Sequence, residues 1–146
     1  MTIGEYVKKR NGVPFGDPRS LKYNIRRSLG AKNFATFWNF WNPIFGYYLG
    51  KYIFKPLTQL IHSSLALMLT FVISGAIHDL FTTLIRGKLS IFFCIWFFFM
   101  SLAVVLSKSL NYDLSRSSWI SRAISNLSIV IFCALITIIL NKIVLS

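Results

Sequence analysis

The sequence predicts an all-α integral membrane protein with about three transmembrane helices, an aromatic interfacial or re-entrant helical block and a basic N-terminal surface segment. Three observations carry this. Of 146 residues, 55% are apolar and only 14% charged, with a mean hydropathy of +0.60, whereas a soluble domain is about a quarter charged. Two runs, 89–107 and 123–140, carry no formal charge and match the roughly 20 residues that a span needs. Sixteen Lys and Arg against four Asp and Glu leave a net charge of +12, which in so apolar a chain suits a basic face against anionic headgroups. The same composition excludes a soluble enzyme. With 8 Gly, 4 Pro and 2 Cys it also excludes collagen-like, disordered and disulfide-scaffold chains.

The elements follow in order. Residues 1–33 form the basic surface segment, and the turn-rich stretch 12–18 within it has no helical period. From Arg19 to Gly30 an amphipathic helix is expected, because Leu21, Ile25 and Leu29 recur at i, i+4 and i+8 while Lys22, Arg26 and Arg27 fall off that face. Residues 34–146 read as one transmembrane domain. Its first block, 34–54, packs ten aromatics into 21 residues, a composition of the membrane–water interface. Asn42-Pro43 and Gly46 interrupt it, so it reads as interfacial or re-entrant rather than as a plain span. Spans are expected at 56–85, 89–107 and 123–141. No signal peptide is visible ahead of the first apolar stretch. Cys94 and Cys133 lie inside apolar runs without a CxxC neighbour and read as small core hydrophobes.

Basic residues set the expected orientation. With three spans, thirteen Lys and Arg fall on the N-terminal side and three on the other, which places the N-terminus in the cytoplasm. The expected location is a plasma membrane, a bacterial inner membrane in particular. The basic residues border the apolar runs and no recognition fold is present, so nucleic acid is not an expected partner.

Ionisable residues inside a span point to function. Here they are His62, His78 and Asp79. On one straight helix His62 and His78 lie roughly 160° apart and cannot share a pocket. His62 reads as an interfacial polar residue, and Asp79 as a helix-end or substrate-facing carboxylate. His78 follows Ser74-Gly75-Ala76, small residues that let another element approach closely. On physics alone it is either a hydrogen-bonded core residue or a catalyst. Asn42 before Pro43 is either a turn starter or a site residue.

Three stretches narrow these alternatives: Trp38-Asn39-Phe40-Trp41-Asn42-Pro43, Tyr52-Ile53-Phe54-Lys55-Pro56 and Phe71-Val72-Ile73-Ser74-Gly75-Ala76-Ile77-His78. Together they resemble the signature region of the membrane-bound O-acyltransferase (MBOAT) family. It comprises a Phe/Trp-rich box ending in a polar residue, a Tyr…Lys-Pro element, and a Ser-Gly…His helix with an invariant His. The resemblance covers roughly residues 29–85, and the 36-residue step from Asn42 to His78 fits the branches that use Asn in the first box.

The resemblance implies a membrane acyltransferase that moves an acyl group from a thioester to a hydroxyl, or an amine, of a lipid, glycan or peptide. His78 would be the general base and Asn42 would orient the acceptor or the oxyanion. Trp38, Trp41, Tyr47 and Tyr48 would line the substrate chamber. Lys51 and Lys55 would attract the phosphates of an acyl-CoA or an acidic acyl-carrier protein, the expected donors, although positive-inside topology also accounts for these lysines. No bound cofactor and no metal site is expected. Family members are several hundred residues long with about eight or more spans, so membrane lipids apart, the expected partners are a second copy of the chain or a membrane partner subunit. The competing reading is a small non-catalytic accessory or scaffold subunit derived from the same fold.

Overall fold

A computed structural model describes the backbone of residues 1–145 and the side chains of residues 1–144. It is helical throughout, and no strand occurs among the described residues. Helix α1 (Ile3–Asn11) opens on a reciprocal cap: Thr2 Oγ1 accepts the Glu5 N–H at 3.3 Å while the Glu5 carboxylate accepts the Thr2 N–H at 2.7 Å. It closes on Gly12, whose φ of 80° suits glycine.

Helix α2 (Ser20–Leu29) is the expected amphipathic helix, with its polarity turned inside out. Asn24 and Ser28 are buried against the rest of the protein, while Leu21 and Ile25 are exposed. The Asn24 amide donates to the Phe40 carbonyl at 2.6 Å, and Ser28 Oγ donates to the Asn24 carbonyl at 2.7 Å. Leu21 and Ile25 directed away from the protein fit a helix lying on a membrane, while Leu29 packs against the core.

The aromatic block is divided into short helices. Helix α3 (Phe34–Phe40) starts at Asn33, whose side chain accepts the Thr36 N–H at 2.8 Å. Asn42-Pro43 stops it and starts α4 (Pro43–Leu49), which continues through a π-helical turn, Gly50–Phe54, into α5 (Lys55–Thr58). The expected span from residue 56 therefore begins later. Helix α6 (Ser63–Arg86) starts after His62, an exposed residue whose Nδ1 accepts the Ser64 N–H at 3.2 Å and caps the helix. It ends at Gly87, in the left-handed region at φ 65°. Helices α7 (Phe92–Ser109) and α8 (Trp119–Leu145) complete the chain.

All three long helices are apolar enough to cross a membrane, and small or polar residues line their inner faces. The buried residues of α6 are Ala66, Thr70, Ser74, Gly75 and Asp79, while Leu65, Leu69, Ile73 and Leu80 face outward. On α8, Asn126 and Thr137 are buried while Ile131, Leu135 and Ile139 are exposed. In hydrocarbon no apolar force drives helices together, so close backbone approach and satisfied polar groups hold them. Thr70 and Thr137 each donate to the carbonyl four residues earlier, at 2.7 and 2.8 Å. Gly75 is where α6 meets α7: a Cβ there would lie 2.5 Å from the Phe93 carbonyl oxygen and 2.8 Å from Cys94 Cα.

The core gathers Ala31, Phe34 and Phe37 against Met100 and Val104 of α7 and Cys133 of α8. Cys94 and Cys133 are free thiols. Polar clamps join the two ends of the chain. Asn126 Nδ2 donates to the Leu29 and Ala31 carbonyls, both at 2.9 Å, and Trp119 Nε1 donates to the Arg26 carbonyl at 3.0 Å. The Leu114 N–H donates to the Lys32 carbonyl at 2.8 Å, beside a Lys32–Asp113 ion pair at 3.5 Å.

Candidate active site

Residues of α1, α3, α4, the π-helical turn, α6 and α7 line a pocket of about 350 Å³. His78 and Phe97 line it, and so do the basic residues Arg10 and Lys108. Lys108 lies eleven residues beyond Phe97 on α7, about 16 Å along the helix axis. Aromatic and small side chains, including Trp38, Phe45 and Phe71, line the stretch between, and no carboxylate is among the lining residues.

His78 is half-buried. Its Nδ1 lies 2.7 Å from the Ser74 carbonyl oxygen, one turn earlier on α6. A carbonyl can only accept, so in the neutral ring Nδ1 carries the proton and Nε2 keeps a free lone pair. Three rings hold the imidazole. Phe45 meets it edge-on at 5.7 Å and 84°, and Phe93 and Phe97 lie at 5.4 and 5.2 Å, each tilted by 33°.

Asn42 lines the same pocket from the start of α4. Its φ of 42° and ψ of 70° are left-handed, a conformation that Asn tolerates better than other L residues. Its Oδ1 accepts the Phe45 N–H at 3.3 Å, and Pro43 occupies the first helical position. With the amide oxygen used as a cap, Nδ2 remains as a donor, and no protein acceptor engages it among the described residues. Asn42 and His78 are thereby connected through Phe45, whose backbone the first caps and whose ring braces the second.

The other sequence-predicted residues divide. Trp38 lines the pocket and packs edge-on against Phe71 at 5.0 Å and near Phe97 at 6.0 Å. Trp41 also lines it, stacked on Phe37 at 5.7 Å. Tyr47, Tyr48, Lys51 and Lys55 are not among the lining residues. Tyr47 packs edge-on against Tyr6 at 5.5 Å and Tyr48 stacks on Tyr52 at 6.1 Å. Lys51 lies over the Tyr47 and Tyr52 rings at 5.6 and 5.3 Å, and its hydrogen bond to Tyr47 raises its pKa. Lys55 is exposed.

The basic lining residues are instead Arg10 and Lys108. Arg10 lies over the Tyr6 ring at 5.1 Å, and its buried Nε has no protein partner among the described residues. Neither cation belongs to an ion pair there. Nothing in local spacing joins residues so far apart, and tertiary packing brings both to one pocket. His62 stands outside it as a helix cap. No group of three or more His, Cys, Asp or Glu suited to a metal occurs among the described residues.

Three helices long and apolar enough to cross a membrane, two of which line a half-open, largely aromatic pocket that holds a histidine with a free ring nitrogen, define an integral membrane protein with one candidate site at that pocket. The family model for membrane-bound O-acyltransferases matches residues 15–140, and the chain belongs to that family. Membership implies membrane acyltransferase activity. Neither a curated protein nor a solved structure matches the chain.

Proposed function

We propose that the protein transfers an acyl group from a thioester to a hydroxyl acceptor, with an amine as the alternative nucleophile, and that His78 is the general base. The observation that carries this is the Nδ1 bond to the Ser74 carbonyl, which leaves Nε2 as the proton acceptor beside a pocket also lined by Asn42. Nε2 takes the acceptor's O–H proton as its oxygen attacks the thioester carbonyl carbon. The Asn42 Nδ2–H donates to the oxygen on which negative charge develops. The tetrahedral adduct then collapses with cleavage of the C–S bond, the imidazolium returns the proton to the leaving thiolate, and ester and thiol are released. Trp38 and Trp41 form apolar wall. Arg10 and Lys108, the basic residues of the lining, suit the phosphate-bearing end of an acyl-CoA or acyl-carrier-protein donor. This assigns to them the role that the sequence reading gave Lys51 and Lys55.

Asn42 and Trp41 are exposed, so a second copy or a membrane partner subunit covers that side in the working enzyme. The same open side favours one competing reading, a non-catalytic accessory subunit. The basic count places the N-terminal segment and the 110–118 loop on the cytoplasmic face.

The test gives labelled acyl donors to membranes carrying wild-type protein or His78→Ala and screens lipid, glycan and peptide for acylated product. Loss of a general base lowers turnover by about 10²–10⁴-fold, so product should vanish at equal protein levels. Identical profiles across several donors would leave the accessory-subunit reading.

A further inference from the structure

Asp79 follows His78 directly, yet the helical turn carries it about 100° away from the pocket side. It is 4% exposed. Its Oδ1 accepts the Ser90 hydroxyl at 2.8 Å and the Phe93 N–H at 3.0 Å, and its Oδ2 accepts the Cys94 N–H at 2.8 Å. Phe93 and Cys94 are the second and third residues of α7, whose first-turn N–H groups have no partner within their own helix. The residue at the usual capping position is Ile91, which has no side-chain acceptor. The carboxylate on α6 thus caps α7 from outside. Its negative charge also suits the positive end of that helix.

The first two turns of α7 carry the rings that brace the imidazole. Phe93 and Phe97 stand one turn apart, and each lies within 5.4 Å of the His78 ring centroid. Between the two helices, Gly75 permits backbone contact. One carboxylate therefore fixes the register of the helix that braces His78 against the helix that bears it.

We propose that Asp79 is the positioning residue for His78, acting through the first turn of α7 and the Phe93 and Phe97 rings. These keep Nδ1 on the Ser74 carbonyl and Nε2 free. The catalytic half of this inference rests on the reading of His78 as a general base; the structural half does not.

The experiment uses full-length protein in lipid nanodiscs with His62→Gln, which leaves one ¹⁵N-labelled histidine. Nitrogen NMR then reports the ring tautomer. Wild-type Asp79 should give a single Nδ1–H tautomer. Asp79→Ala should lose it to an exchanging mixture, and Asp79→Asn should retain it in large part, since an amide oxygen still accepts from the first turn. Where product is detected, Asp79→Ala should lower kcat by about 100-fold with little change in donor KM, as for a misplaced base, and Asp79→Asn should recover most of that loss. If Asp79→Ala does not fold, Phe97→Leu removes a brace without touching the cap and should lose the tautomer as well. An unchanged tautomer in Asp79→Ala, or in Phe97→Leu when the first does not fold, overturns the proposal. Absence of any acylated product in wild type would defeat the acyltransferase reading alone, because the tautomer is read without turnover.

Discussion

Asn42 separates two demands that one residue meets. Its backbone must hold a left-handed turn, and its side chain must cap α4 while keeping an amide donor free. Asn42→Gly keeps the backbone and removes the amide, so transfer should fall by about 10²–10³-fold with stability nearly unchanged. Asn42→Ala adds backbone strain of about 1–2 kcal/mol and should also lower the melting temperature. Turnover and thermal denaturation of the two variants check this. Equal melting temperatures would remove the strain argument, and full turnover of Asn42→Gly would remove the oxyanion role. At this scale the sequence was legible where residues are bunched into motifs, as for Asn42 and His78. Arg10 and Lys108 were not legible, because their place in one lining is tertiary and surface cations look alike in a one-dimensional string. The lysines read from sequence as phosphate-seeking are engaged with tyrosine rings or exposed, away from the lining.

Among the elements, α2 was legible as an amphipathic helix because its apolar period is complete, whichever way that face turns. The start of α6 was not, since an apolar run through Leu57, Leu60 and Ile61 does not announce that it is cut by a turn. The cut becomes visible only with His62 capping the next helix. The outward face of α2 carries its own expectation. A fluorophore attached at Ile25→Cys should be quenched by lipids brominated along the acyl chain, and one at Lys22→Cys less so. Equal weak quenching at both positions would lift α2 off the membrane. The α6–α7 crossing is tighter. Because a Cβ on Gly75 would meet backbone rather than a yielding side chain, Gly75→Ala should force the two helices apart and cost about 1–3 kcal/mol. Denaturation in detergent measures it, and a wild-type midpoint would mean that the crossing has slack.

For the whole molecule, the hydropathy pattern foretold three membrane-length helices, and the structure adds that Thr, Ser, Asp and Asn turn toward the centre while many Leu and Ile face outward. The pattern did not foretell that the N-terminal segment is fastened to the 110–118 loop. Asp113 holds one of those fastenings. Hydrogen bonds from Ser115, and secondarily the Lys32 ammonium, keep its carboxyl below the ordinary value of 3.8. A depressed folded pKa contributes stability that is present above the unfolded value and disappears as pH falls through the folded one. The fastening should therefore be constant from neutral pH down to about 4 and loosen only below that. Hydrogen exchange of the Leu114 amide, measured from pH 7 to 3 and corrected for intrinsic rates, follows it; loosening already at pH 6 would assign the fastening to another group.

The two Asn126 hydrogen bonds reach back 95 and 97 residues along the chain. During biosynthesis the ribosome must therefore translate most of the protein before α3 acquires its final neighbours. Trp38 meets Phe71 and Phe97 once α6 and α7 are in place, whereas the α2–α3 junction has no partner for these bonds until α8 is made. Contacts of such long range form late and slowly. Fastening of the α2–α3 junction therefore follows the making of α6, which carries His78, and waits for α8.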